Sequence, residues 1–249
     1  MTQEIECIEF PMRIAGIKIG TVNCYLIKTE AGYILIDTGF PRNRADLVKK
    51  LEKAECRPGD LKLIVMTHGD GDHSGNGAFL REKYGAKIAI HSYESEAVEN
   101  GDSTLSRTKP SFSRRVFNRM VLALLSPLMR SGKLEPFSPD FTIDEGYDLS
   151  DFGFEAKVLH LPGHSKGSIG IITVSNDLFC GDLLTNMRRP SVNSMADNKT
   201  ELNASVERLK NMKINTVFPG HGKPFSMDSL HGQTLSQVRA MQKLKTELS

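Results

Sequence analysis

The stretch Thr67-His68-Gly69-Asp70-Gly71-Asp72-His73-Ser74-Gly75-Asn76 places two imidazoles and two carboxyl groups within six residues. It follows directly on residues 61–66, an apolar run that reads as a buried strand. The glycines at 69, 71 and 75 let the chain turn tightly, so that neighbouring side chains converge instead of alternating across a sheet. A polar turn needs only Asp and Gly. Two histidines interleaved at this density point instead to a metal site, and His with carboxyl donors suits zinc, iron or manganese.

Further donors stand in the same context elsewhere. Residues 154–161 read as a strand running into Pro162-Gly163-His164. Residues 168–174 and 178–180 form a hairpin around Asn176-Asp177, ended by Gly181-Asp182, and residues 214–218 form a strand entering Pro219-Gly220-His221-Gly222. Each donor thus sits just past the C-terminal end of an apolar strand, where open sheets build their sites.

The remaining pattern alternates strand and helix. Residues 22–28 and 32–37 read as strands around a turn at 30–32, and 87–91 as another. Helices are expected at 43–54 (with Ala45, Val48 and Leu51 at helical spacing), from the His68 cluster to Tyr84 with Gly85 as the stop, at 201–212, and over about 226–248. Two such halves predict two packed sheets covered by helices.

Composition sets the class. The 249 residues are 39% hydrophobic with a net charge of +2, enough for a sizeable core and with no electrostatic pull toward nucleic acid. Cys7, Cys24, Cys56 and Cys180 are scattered without a C-x-x-C pair and read as reduced thiols, as in a cytoplasmic protein. No secretory signal is expected from residues 1–6, and residues 120–129, broken by Pro127, are too short to span a bilayer.

At this point the chain resembles the metallo-β-lactamase superfamily, whose usual signature is H-x-H-x-D-H. The resemblance runs in order through five motifs: Leu35-Ile-Asp-Thr-Gly39, the His68 cluster, His160-Leu-Pro-Gly-His-Ser-Lys-Gly-Ser168, Gly181-Asp182 and Pro219-Gly-His-Gly222. It implies an α/β fold, an αββα four-layer sandwich of two mixed β-sheets flanked by helices. It further implies one domain over residues 1–249, with a mainly helical insertion at about 101–140. Two divalent metal ions are implied, zinc first and manganese or iron beside it. One would be held by His68, the residue at 70 and His164, the other by Asp72, His73 and His221, with Asp182 bridging. Asp72 and Asp182 are the expected catalytic groups, Asp72 orienting the attacking hydroxide. Asp37 would orient a ligand by hydrogen bonding.

The departure is at position 70, where the family has His and this chain has Asp. Two divalent ions, two carboxylates and a bridging hydroxide sum to a single positive charge; Asp70 brings the sum to zero. A neutral centre lowers a water pKa less and favours harder ions.

The implied reaction is hydrolysis of a small ester, thioester or lactone by a metal-activated hydroxide, as in the glyoxalase II and lactonase branches. The alternatives are a phosphodiesterase on a small phosphodiester, and a non-catalytic metal- or ligand-binding protein on the same fold. A small-molecule substrate is expected, with no nucleic acid, and a homodimer stays open. His91 and His160 are expected to be structural, Lys166 solvated, and His231 without a role. The apolar face of 101–140 (Phe112, Val116, Phe117, Met120) is read as a core-packed helix, a cover over the site, or a membrane-surface or dimer helix. Arg188 and Arg189 are loop cations able to meet an anionic substrate.

Overall fold

Strand β3 (Gly32–Ile36) shows how the layers arise. In a computed structural model describing residues 4–14, 16–107 and 134–230, its alternate side chains enter different cores. Tyr33 and Leu35 pack beneath helices, whereas Ile34 and Ile36 pack against a second sheet. A strand period of two divides one apolar run between two interfaces.

The first sheet has the order β1-β2-β3-β4-β5-β6, formed by Glu4–Ile14, Ile17–Thr29, β3, Leu61–Val65, Lys87–Ile90 and Phe141–Thr142. Its β1-β2-β3 part is antiparallel and its β3-β4-β5-β6 part parallel. The second sheet has the order β13-β12-β9-β8-β7, from β7 (Ala156–His160), β8 (Ile169–Thr173), β9 (Leu178–Gly181), β12 (Thr216–Pro219) and β13 (Phe225–Ser226). It is antiparallel except where β12 pairs with β9. A small ribbon, β10 (Leu184–Thr185) with β11 (Ser191–Val192), lies beside them.

Three apolar clusters separate four layers. One lies between the first sheet and α1 (Arg44–Lys53), α3 (Gly77–Tyr84) and α4 (Ser92–Asn100), and includes Leu47, Leu51, Leu80, Tyr84 and Val98. The second lies between the sheets, with Ile34, Val65, Phe154, Ile171 and Phe179. The third lies under α5 (Lys199–Lys210), with Leu202, Val206 and Leu209 against Leu178 and Val217. The four-layer αββα sandwich expected from the sequence is present.

Several local readings shift. The buried stripe of α1 is Leu47 and Leu51, while Ala45 is exposed. Among the elements absent from the expectation are strand β1 and helix α4. Strand β1 carries Glu4, Glu6 and Glu9 and runs through Pro11, which an edge strand tolerates because it leaves no ladder hydrogen bond unmade on the outer side. Helix α4 is short and polar, and is capped by His91, whose Nδ1 accepts the Tyr93 amide at 3.1 Å. Residues 227–230 begin the expected last helix; the rest of it, His231 and the apolar face at 112–128 lie outside the described residues. Among the described residues no helix is long and apolar enough to cross a membrane.

Candidate metal centre

All the strand ends named from the sequence meet at one edge of the sandwich. The His68 cluster follows β4 and turns tightly, as expected. Gly69, Gly71 and Gly75 are not in the left-handed region. The chain turns through one helical turn, α2 (Gly71–Ser74), with Asp70 extended at its start and the amides of His73 and Ser74 donating to the Asp70 carbonyl. Gly75 serves close approach: a Cβ there would lie 2.4 Å from the Gly71 carbonyl oxygen.

Four imidazoles share one orientation. His73 Nδ1 lies 2.8 Å from Asp37 Oδ2, His221 Nδ1 2.8 Å from the Thr21 carbonyl, and His164 Nδ1 2.6 Å from the Met195 carbonyl. His68 Nδ1 lies 3.0 Å from Thr67 Oγ1, whose hydroxyl donates to Asp37. Acceptors at every Nδ1 hold a proton there and leave each Nε2 facing inward as the atom able to bind a metal.

The inward atoms form a close ring. His73 Nε2 and His221 Nε2 each lie 3.3 Å from Asp182 Oδ1, and His221 Nε2 lies 3.4 Å from Asp72 Oδ2. On the other side His164 Nε2 lies 3.7 Å from Asp182 Oδ2 and 3.2 Å from Asp70 Oδ2. Donors bound at about 2.1 Å around one tetrahedral ion stand roughly 3.4 Å apart. His68, His164 and Asp182 make one such group and Asp72, His73 and His221 another, with the two Asp182 oxygens turned to opposite sides. Asp70 flanks the first group. His68 Nε2, His73 Nε2 and Asp182 Oδ1 are buried without a hydrogen-bond partner. Three orphaned donors facing each other are costly unless an ion satisfies them, so these residues fit the implied metals.

The field of the cluster shifts its proton affinities. Burial disfavours charge on His221, but Asp182 and Asp72 outweigh it and raise its pKa to about 10. His73 is likewise pushed well up by Asp37, Asp72 and Asp182 against burial. Burial would raise Asp70, yet its contacts with His164 and His68 and the charge of Arg107 hold it well below the usual carboxylate range.

A sequence model of the metallo-β-lactamase superfamily matches residues 17–221. The chain belongs to the metallo-β-lactamase superfamily. It is a metallohydrolase, and members of this superfamily generally bind divalent metals. The chain is 29% identical over 165 residues to hydroxyacylglutathione hydrolase GloC of Haemophilus influenzae, covering 65% of this chain and 66% of that one. It is 27% identical over 228 residues to the acyl-coenzyme A thioesterase MBLAC2 of Bos taurus, covering 84% and 75%. Among solved structures, the metallo-β-lactamase family protein TTHA1429 from Thermus thermophilus superposes with a TM-score of 0.69 at 22% identity, covering 98% of this chain and 81% of that one. TTHA1623, solved in a di-iron-bound form, superposes with a TM-score of 0.61 at 27% identity, covering 88% and 96%.

Several residues that build this superfamily site were not legible in the sequence. Glu94 of α4 is fully buried and accepts the Gly69 amide on Oε2 and the Gly167 amide on Oε1, both at 2.9 Å, tying the His68 loop to the His164 loop. Asn23 and Tyr25 of β2 hold the His221 loop through the Pro219 carbonyl, at 3.0 and 2.7 Å. Arg107 donates to Asp70 Oδ2. In this structure the charge that Asp70 adds is thus offset by a guanidinium.

The other weighed residues lie apart. His91, Asp144 and His160 form a third group, but His91 Nδ1 accepts the Tyr93 amide, so its proton sits on Nε2 and donates to Asp144 Oδ1 at 3.1 Å. A metal on that Nε2 would have to displace the proton shared with Asp144. Lys166 is exposed, its ammonium 3.8 Å over the Tyr93 ring. Arg188 and Arg189 are exposed.

Proposed function

We propose that this chain hydrolyses a small ester, thioester or lactone at a centre built for two divalent ions, zinc first, with manganese or iron as the alternatives. His68, His164 and Asp182, with Asp70 beside them, would hold one ion; Asp72, His73, His221 and Asp182 would hold the other. The observation behind this reading is the set of buried, unpartnered donors on His68, His73 and Asp182. Bound there, divalent ions supply a lowered water pKa and positive charge against a developing oxyanion.

The chain's own residues set the geometry. Asp182 faces both donor groups and is fixed by Asn193, whose Nδ2 donates to Oδ2 at 3.3 Å. Asp72 is only partly buried, with its side chain 21% exposed, so its carboxylate reaches the open side, where it can orient an attacking water. Asp37 holds His73 by Nδ1, leaving Nε2 directed at the centre. Relatives named as an acyl-coenzyme A thioesterase and a hydroxyacylglutathione hydrolase favour acyl over phosphoryl substrates. A cytoplasmic setting is part of the same reading, supported by four cysteines that are all free.

The test is metal analysis of the purified protein, followed by a screen of p-nitrophenyl esters, an acyl thioester and a lactone against bis-p-nitrophenyl phosphate in zinc, manganese and iron. Turnover of an acyl substrate is expected. Turnover of the diester alone would make the protein a phosphodiesterase. Tight metal binding without any turnover would make it a binding protein.

A further inference from the structure

Arg107 ends the turn that follows α4, and its guanidinium reaches the first donor group. Nη2 donates to Asp70 Oδ2 and, at 3.0 Å, faces His164 Nε2, while Nη1 donates to the His164 carbonyl. The His164 ring is already oriented by its Nδ1–H on Met195, so Nε2 offers only its lone pair, and Nη2 occupies it. A metal on His164 would sit about 2.0–2.1 Å along that same lone pair. The guanidinium and the ion cannot share it, and like charges this close repel strongly where water is scarce. Among the described residues, no cation makes a comparable contact with Asp72, His73 or His221.

We propose that Arg107 is an internal cation that competes with a metal ion for the His68, His164 and Asp182 group, held in place by Asp70. The two metal positions are then unequal. The Asp72, His73 and His221 group binds its ion without reference to Arg107, whereas the first group fills only when Arg107 leaves His164. Asp70 thus links the occupancy of one metal position to the turn formed by residues 102–107. This rests on the metal-centre reading above.

The experiment is a zinc titration of the metal-free full-length protein, with stepwise constants from competition with a chromophoric chelator and stoichiometry by mass spectrometry. A guanidinium docked nine-tenths of the time weakens the second step about tenfold. Arg107→Gln should therefore tighten the second step about tenfold and leave the first unchanged. An unchanged or weaker second step overturns the proposal. Should Arg107→Gln fail to fold, hydrogen exchange on the wild type decides. The amides of Leu105 and Arg107, bonded to the carbonyls of Asp102 and Thr104, should exchange faster once the second equivalent of zinc binds. Unchanged or slower exchange overturns the proposal. Absence of zinc binding at the first step would instead overturn the metal-centre reading on which it rests.

Discussion

His73 donates its Nδ1–H to Oδ2 of Asp37 across 2.8 Å, and both side chains are buried. The same carboxyl group accepts the Thr67 amide at 2.8 Å, and Asp37 itself adopts a left-handed backbone with φ 59°. A non-glycine residue held at positive φ costs about 1–3 kcal/mol and persists where surrounding contacts over-determine it. Here the first and second motifs are locked together by one carboxyl group.

Replacing that group should therefore loosen metal binding without unfolding the protein. Asp37→Asn is expected to weaken metal affinity by about 10–100-fold, because an amide no longer fixes the His73 tautomer. Chelator competition measures this; an affinity within about twofold of wild type, far short of that range, would refute the role.

Metal uptake should release protons. With His221 raised to about 10 and His73 raised well above its ordinary value, both are protonated at pH 7 in the metal-free protein and must lose those protons to bind an ion. Calorimetry in buffers of different ionisation enthalpy should show proton release at pH 7, with affinity rising as pH increases. In the metal-free protein the sign for stability is the opposite. The raised His221 stabilises the fold fully below about 6.5, the unfolded value, and this contribution is lost as pH rises through about 10. Buffer-independent heats would contradict the prediction.

Glu94 joins two loops that the sequence separates by nearly a hundred residues. In Glu94→Gln one acceptor becomes an N–H donor facing a backbone amide, which leaves a buried amide unsatisfied at a cost of about 1–3 kcal/mol. Urea denaturation should report that loss, and metal affinity should fall with it. A stability change below about 0.5 kcal/mol, the size typical of surface substitutions, would mean that the clamp contributes little.

Gly220 has no side chain for a different reason. A Cβ at this position would lie 2.6 Å from Asp182 Oδ1 and 2.6 Å from His73 Cε1. Gly220→Ala should keep its circular dichroism spectrum and lose bound metal. Wild-type metal content in the variant would show that the loop can yield.

Much of this was readable from order and spacing. The apolar runs at 61–66 and 87–91 became β4 and β5, and Asn176, at φ 62°, turns the predicted hairpin. Every donor expected at a strand end lies at the shared edge. What failed to show were elements whose polar residues are buried for long-range reasons. Helix α4 looks solvated because Glu94 resembles any surface charge until two distant loops bring it amides. Arg107 had no local signal, since its partner Asp70 is 37 positions away.

By itself the sequence determined the layers and the strand-end His and Asp residues that gather at one edge, because strand period, turn residues and strand-end histidines act within a few residues of one another. Only the tertiary structure decided how the donors are held: which nitrogen of each imidazole faces inward, that Asp182 faces both groups, and that Asp70 meets a guanidinium. Those outcomes depend on hydrogen bonds and charges between segments far apart in the chain, which no local pattern encodes.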